Sequence, residues 1–197
     1  GGLVRLHLHA RGAISNLFLE PQTPLLLSHE GEVLLRVRAV GLNFRDVLNV
    51  LGEYPGDPGP PGGDSAGVVG EADASALHAV DTATFGLGSA PLACLARAAS
   101  PLLTRKPASL AFEQACTLPV AWSTTHVALE CGGLHTGRWI VVQAAAGGVG
   151  LAAVEYAQWL SAPPLGTAGR PHKHAQLRLA GVDAMCSSRD GAAFAVG

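Results

Sequence analysis

At 197 residues, 48% hydrophobic and 14% charged, the chain has the composition of a folded protein with one large core or two small ones, which excludes a disordered segment. Its formal net charge of -2 gives no reason to expect nucleic acid or an anionic membrane as partner, and no apolar run is long enough to span a bilayer. The four cysteines (Cys94, Cys116, Cys131, Cys186) are scattered without C-x-x-C spacing, so they suit a reducing interior rather than a zinc knot or a disulfide framework.

The chain opens on Gly1-Gly2 with no signal peptide, as an excised piece would. Val4, Leu6 and Leu8 alternate with Arg5, His7 and His9, the pattern of a half-buried strand. His7 and His9 share a face. With no third ligand near in sequence, a solvated strand face is favoured over a metal site. Pro21 and Pro24 break the next stretch. Val33, Leu35, Val37 and Ala39 alternate with Arg36 and Arg38 and predict a second strand.

In Gly41-Leu42-Asn43-Phe44-Arg45-Asp46, Asn43 is placed to cap a helix and Asp46 to favour its positive end. Phe44, Val47, Leu48 and Leu51 fall at helical spacing, and Gly52 sits where a helix-ending glycine belongs. Such an apolar stripe needs no function to explain it. Tyr54 follows, inside a Pro- and Gly-rich loop that runs to Gly63. Gly63 to Gly70 reads as a glycine-bounded strand. Asp64 there suits a ligand, a hydrogen-bond anchor or a turn residue, and the anchor is favoured. Ala72 to Ala90 is poorly patterned apart from a short strand at Thr84-Phe85-Gly86-Leu87, and Leu92 to Ala99 takes no assignment. Many short strands with glycine turns suggest an all-β, barrel-like module.

Composition shifts after Pro107. Leu110 to Leu118 and Val120 to Glu130 predict helices interrupted at Pro119. Ile140-Val141-Val142 then reads as a buried central parallel strand, followed by a glycine turn and a helix from near Leu151 to Leu160, with Leu151, Val154 and Ala157 inward. The turn fits the dinucleotide fingerprint with one change: Ala145 takes the first glycine position, and Gly147 and Gly150 the second and third. Gly147 lets backbone approach a pyrophosphate, Gly150 lets helix pack on strand, and the helix start that holds Gly148 and Val149 offers N–H groups and a positive dipole end. Leu165 to Ala168 predicts the second strand of a βαβ unit, with Pro163-Pro164 awkward before it. At its end an NAD-binding chain usually places an acid. Here stand Gly169, Arg170, Pro171, His172 and Lys173: no acid and two cations, which suit a 2′-phosphate. The next helix closes at Gly181. Ala184-Met185-Cys186 predicts a third strand, and Ser187-Ser188-Arg189-Asp190 ends it on the cofactor side.

Gly41 to Leu48, Gly63 to Gly67, Ala144 to Gly150 and Ser187-Ser188-Arg189, in this order, resemble the enoyl reductase domain of polyketide synthases, and Arg11 to Leu17 resembles that domain's opening. That domain is a zinc-free branch of the medium-chain dehydrogenase/reductase superfamily, near the quinone oxidoreductases. The resemblance covers almost the whole chain. It implies a GroES-like β-barrel domain over 1–108, then the N-terminal half of a Rossmann domain over 109–197, with NADPH in a cleft between them.

It further implies hydride transfer to the β-carbon of an α,β-unsaturated acyl thioester, carried on the phosphopantetheine arm of an acyl carrier protein, beside other polyketide synthase domains of the same chain in the cytoplasm. Cofactor-binding residues by this likeness are Ala145, Gly147, Gly148, Val149, Gly150, Arg170, Lys173, Ser188 and Arg189; catalytic candidates are Lys173, Tyr54 and Asn43. Lys173 suits phosphate clamp or acid alike, and Asp190 lies a residue or two early for the family carboxylate. Zinc-dependent relatives place a cysteine where Leu42 stands and a His-Glu pair where Gly63 and Asp64 stand, so no metal is expected. A six-stranded doubly wound sheet would be only half supplied by this chain, which predicts weak or no activity for the piece alone. The alternatives are a stand-alone NADPH quinone or alkenal oxidoreductase, or an inactive fragment of either; the Arg11-Gly12-Ala13-Ile14-Ser15-Asn16 opening favours the polyketide synthase domain.

Overall fold

The structure, a computed structural model, describes residues 2–189. It falls into two compact units that meet in sequence between Val120 and Ala121.

The first unit begins with β1 (Val4–Leu8) and β2 (Leu17–Pro21), paired antiparallel from Val4↔Pro21 to Leu8↔Leu17. His7 uses its face of this ribbon, edge-on to Phe18 with ring centroids 5.1 Å apart and Nδ1 3.4 Å from Glu20 Oε1. Next come β3 (Glu32–Val40), α1 (Phe44–Leu51), β4 (Asp64–Ala72), β5 (Ala83–Leu87), β6 (Leu95–Ala99) and β7 (Leu103–Arg105). Five strands form one antiparallel sheet in the order β6-β3-β4-β5-β7. Val33, Leu35, Val69, Ala98 and Leu103 are its core, so the alternation read in β3 is the face it buries. The strands make an open sheet and a separate ribbon, and no hydrogen-bonded ring closes among the described residues. The two are linked by the Arg5↔Ala93 bridge and by Leu6 N–H donating to the Leu92 carbonyl at 2.7 Å.

Helix α1 has the expected ends. Asn43 is the extended N-cap, and Gly52 closes the helix at φ 74°. Its orientation is the reverse of what an apolar stripe suggests. Phe44 is 74% exposed and Val47 46%, while Asp46, Asn49 and Val50 are buried. The polar residues are buried because each has partners. Asp46 Oδ1 accepts the Gly62 N–H at 2.7 Å, and Asn49 donates to the Gly59 carbonyl at 3.0 Å and accepts from Arg11 Nε at 3.0 Å. Val47 and Leu51 of this stripe line an apolar groove of about 250 Å³ with Leu6, Ile14, Leu17 and Leu42.

The region after Pro107 folds differently from its sequence reading. The first helix shrinks to a single turn, α2 (Phe112–Ala115), whose Ala115 packs with Cys116, Ala66 and Phe85. Pro119 starts α3 (Pro119–Cys131) rather than breaking it, as its missing N–H allows at a first helical position.

The second unit is β8 (Ile140–Val142), α4 (Gly148–Trp159), β9 (Pro164–Ala168), α5 (Pro171–Leu179) and β10 (Ala184–Ser187). The strands are parallel in the order β10-β9-β8. Val142, Ala145, Val154, Leu177 and Val182 are the core. Two expectations change. Among the described residues β8 lies at one end of the sheet, with Val141 54% exposed, and β9 lies between β8 and β10. Helix α4 begins at Gly148, one turn earlier than the apolar pattern predicted, because the fingerprint turn leads straight into it. Pro164 opens β9, where a ring costs no ladder bond, and the preceding Pro163 carbonyl accepts the Ile140 N–H at 3.2 Å. No helix among the described residues is long and apolar enough to cross a membrane.

Candidate functional site

In the second unit, the turn between β8 and α4 is tied to the neighbouring strand. Ala144, at φ 50°, donates its N–H to Thr167 Oγ1 at 3.2 Å, and Ala145 donates to the Thr167 carbonyl at 3.0 Å. Ala145 fits at the first glycine position because its methyl faces Gly166, where an added Cβ would lie only 3.2 Å away. Gly150 has no such freedom. A Cβ there would meet the Ala144 carbonyl oxygen at 2.5 Å and Ala145 Cα at 2.7 Å. Gly147 is the extended, exposed N-cap of α4, and the first-turn N–H groups of Gly148, Val149 and Gly150 have no intrahelical acceptor.

A cavity of about 350 Å³ opens beside this turn, lined by Ala144, Ala146, Arg170, Lys173, Ser188 and Arg189 among others. Among the described residues, three cations and no carboxylate line it. Arg170 is the N-cap of α5, so that helix start also faces the site with its positive end. Gly169 makes the close approach possible: a Cβ there would lie 2.8 Å from Arg189 Nε and 3.1 Å from Ser188 Oγ. The fingerprint turn and the cations after the second strand are therefore one site. Asp190 lies outside the described residues.

In the first unit, Asn43 and Tyr54 stand in a dense polar cluster. Asn43 donates its backbone N–H to Asp46 Oδ2 at 2.8 Å and its side-chain Nδ2 to Asp64 Oδ2 at 2.9 Å. Asp64 Oδ1 accepts the Val120 N–H at 2.7 Å, which makes Asp64 the hydrogen-bond anchor its surroundings suggested. At 2% exposure, burial pushes the Asp64 carboxyl up; its donors from Asn43 and Val120 oppose this, and the nearby Asp46 charge adds to it. Burial, with Asp64 beside it, likewise raises the Cys116 thiol. Tyr54 lies half-buried under the Arg45 guanidinium, 5.5 Å from its ring centroid. Arg45 also donates to the Pro58 carbonyl at 2.6 Å, and Arg11 to Asp57 at 2.9 Å.

Arg11, Asp46 and Asn49 thus fasten the Tyr54 loop, a role sequence reasoning did not assign them. Its only trace was that polar residues interrupt α1 at spacing that puts them on one face. Among the described residues no group of three or more His, Cys, Asp and Glu side chains is placed to share a metal ion.

An antiparallel sheet followed in sequence by a parallel βαβαβ unit, with a glycine turn and a cationic pocket beyond its second strand, is the arrangement of the medium-chain dehydrogenase/reductase fold. Comparison with known proteins narrows this. No family model matches the chain. The CurK enoyl reductase superposes with a TM-score of 0.88 at 30% identity, covering 96% of this chain and 61% of that one. The JamJ enoyl reductase gives 0.85 at 25%, with 96% and 61% covered. Erythronolide synthase EryA2 of Saccharopolyspora erythraea is 41% identical over 179 residues, 87% of this chain and 5% of that protein. Polyketide synthase GfsB of Streptomyces halstedii is 39% identical over 196 residues, 95% and 3%. The chain belongs with the enoyl reductase domains of type I polyketide synthases, spanning a small part of those synthases and about six tenths of a solved enoyl reductase.

Proposed function

We propose that this chain is the enoyl reductase portion of a polyketide synthase, reducing the α,β double bond of a carrier-bound enoyl thioester with NADPH, in the cytoplasm and alongside other synthase domains. The observation that carries the reading is the cavity with Arg170, Lys173 and Arg189 on its wall, no carboxylate among the described residues, and the fingerprint turn on its other side. The neutral ribose hydroxyls of NADH would leave these cations unpaired, whereas a 2′-phosphate engages them by charge-assisted bonds. Ala145, Gly147, Gly148, Val149 and Gly150 would hold the pyrophosphate, and Arg170, Lys173, Ser188 and Arg189 the phosphorylated ribose. When bound, NADPH supplies the hydride.

The chain's own residues do the rest. Asn43 presents a side-chain N–H toward the substrate carbonyl, Tyr54 is the phenol available to deliver a proton to the α-carbon, and Lys173 serves as phosphate clamp or alternative acid. The substrate would arrive on the phosphopantetheine arm of an acyl carrier protein. Fluorescence titration with NADPH and with NADH tests the cofactor half; saturable binding of NADPH at least tenfold tighter is expected, and equal affinities refute it. Reduction of a crotonyl-pantetheine thioester, compared with a quinone, tests the substrate half. Preference for the quinone would favour the likeness to solved quinone oxidoreductases, one of which, from Pseudomonas syringae, is 28% identical with a TM-score of 0.79, covering 93% of this chain and 58% of that one.

A further inference from the structure

Asn43 has the polarity of its amide set by Asp64. An ionised carboxylate can only accept, and both oxygens of Asp64 already hold donors, Asn43 Nδ2 at 2.9 Å and Val120 N–H at 2.7 Å. The side of the Asn43 amide that meets Asp64 is therefore its amino group. On the backbone, the Asn43 carbonyl accepts the Asp46 N–H at 2.9 Å, which holds Asn43 at the start of α1. Asp46 returns the arrangement, accepting Asn43 N–H at 2.8 Å and Gly62 N–H at 2.7 Å. A flipped amide would set its carbonyl against a carboxylate oxygen. Of the two Nδ2 protons, one is spent on Asp64 and one is left. Asp64 is 2% exposed, so water does not compete for its bonds. Gly41 allows this approach: its N–H donates to the Asp64 carbonyl at 3.1 Å, and a Cβ there would collide with the Cys116 carbonyl and lie 2.8 Å from Asp64 Cβ.

We propose that Asp64 is a positioning residue that locks the Asn43 amide in one orientation, so that its remaining N–H is a fixed donor to the thioester carbonyl oxygen as that oxygen gains negative charge. The proposal rests on the reductase reading of Asn43. A preorganised donor of this kind is worth about 10²–10³ in kcat. Asp64→Asn separates orientation from bulk. Asparagine has a single carbonyl and cannot accept from Val120 and Asn43 together. It must either release the start of α3 or offer its amino group to Asn43, which then flips.

The test is a double-mutant cycle, with crotonyl-pantetheine, on this chain carried within a complete enoyl reductase domain. N43A lowers kcat about 10²- to 10³-fold, D64N lowers it by no more than that, and the pair loses no more than N43A alone. NADPH affinity stays within twofold, because the cations that select it belong to the other unit. Additive losses, or a D64N variant with full kcat, overturn the proposal. A second readout needs no turnover. In ¹⁵N spectra of the wild type, one Asn43 amide proton exchanges slowly and its sibling fast, and the difference collapses in D64N. Two protons that exchange equally fast in the wild type overturn the proposal even if D64N fails to fold. A wild type that reduces no enoyl thioester yet shows the protected proton sinks the reductase reading alone.

Discussion

Gly150 is the position where the nucleotide turn can be broken most cleanly. Alanine is preferred to glycine inside a helix by about 1 kcal/mol, so on propensity alone Gly150→Ala would stabilise α4. The geometry opposes this. The added methyl would sit 2.5 Å from the Ala144 carbonyl oxygen and 2.7 Å from both Ala145 Cα and its carbonyl oxygen. All three are backbone atoms of the turn, so no side chain can rotate away. Overpacking of this severity belongs at the upper end of about 1–3 kcal/mol, leaving a net loss of about 2 kcal/mol. For a unit of this size that is a fall in Tm of about 8–16 °C. Gly148, two residues earlier in the same helix, is the control. A Cβ there meets nothing within 4 Å, so Gly148→Ala should leave Tm unchanged or raise it slightly. Thermal unfolding followed by circular dichroism reads both. If G150A melts at or above the wild type, or if the two variants shift together, helix–strand contact does not require glycine here and the account of the fingerprint turn is wrong.

Arg170→Ala should weaken NADPH by about 10- to 100-fold and leave NADH unchanged, since a charge-assisted bond is worth about 1.5–3 kcal/mol; equal losses for both cofactors in fluorescence titration would place Arg170 off the phosphate. Gly169→Ala should keep the Tm within a few degrees while loosening NADPH, because the methyl displaces the flexible Arg189 side chain and not backbone; a collapse of the fold would contradict this. The two perturbed aspartates predict opposite pH slopes. Asp73, which accepts bonds from Ser75 and Gly31 and is lowered to about 2, contributes stability above the ordinary carboxylate range that is lost as pH falls toward 2. Asp64 is raised, so its contribution is present in acid and lost as pH rises through its folded value. Carboxyl NMR titration with D73N and D64N as controls checks both, and parallel slopes would refute the assignment.

Local pattern carried much of the fold. Period-two alternation located β1 and β3, Asn43 and Gly52 located the ends of α1, and the glycine spacing located the turn before α4. Among the strands that went unread, besides the three-residue β7, β2 with sequence Leu17-Phe18-Leu19-Glu20-Pro21 and β6 with Leu95-Ala96-Arg97-Ala98-Ala99 have weak alternation of their own. Their partners β1 and β3 recruit them across the sheet, an interaction that no window along the chain contains. Asp64 was readable as an anchor from its small neighbours, but its ligands, 21 and 56 residues away, were not. Of the cationic pocket, the absent acid after β9 was legible, whereas Gly169's part in seating Arg189 needed coordinates.

Helix α1 shows why pattern and burial part company. Counting apolar positions finds the stripe Phe44-Val47-Leu48-Leu51 and assumes that it points inward. Which face is buried is decided by the whole set of partners. Asp46 and Asn49 meet Gly62 N–H, the Gly59 carbonyl and Arg11, so their burial leaves no polar group unpaired and fastens the loop that holds Tyr54. Turning the apolar stripe inward would expose Asp46 and Asn49 but strip the loop of those bonds, and the freed N–H and carbonyl groups would then cost about 1–3 kcal/mol each wherever they stayed buried. A helix that keeps its polar residues inside and its apolar ones outside is thus serving a site: the buried carboxylates order Asn43 and the Tyr54 loop, and the apolar face is left to line a groove.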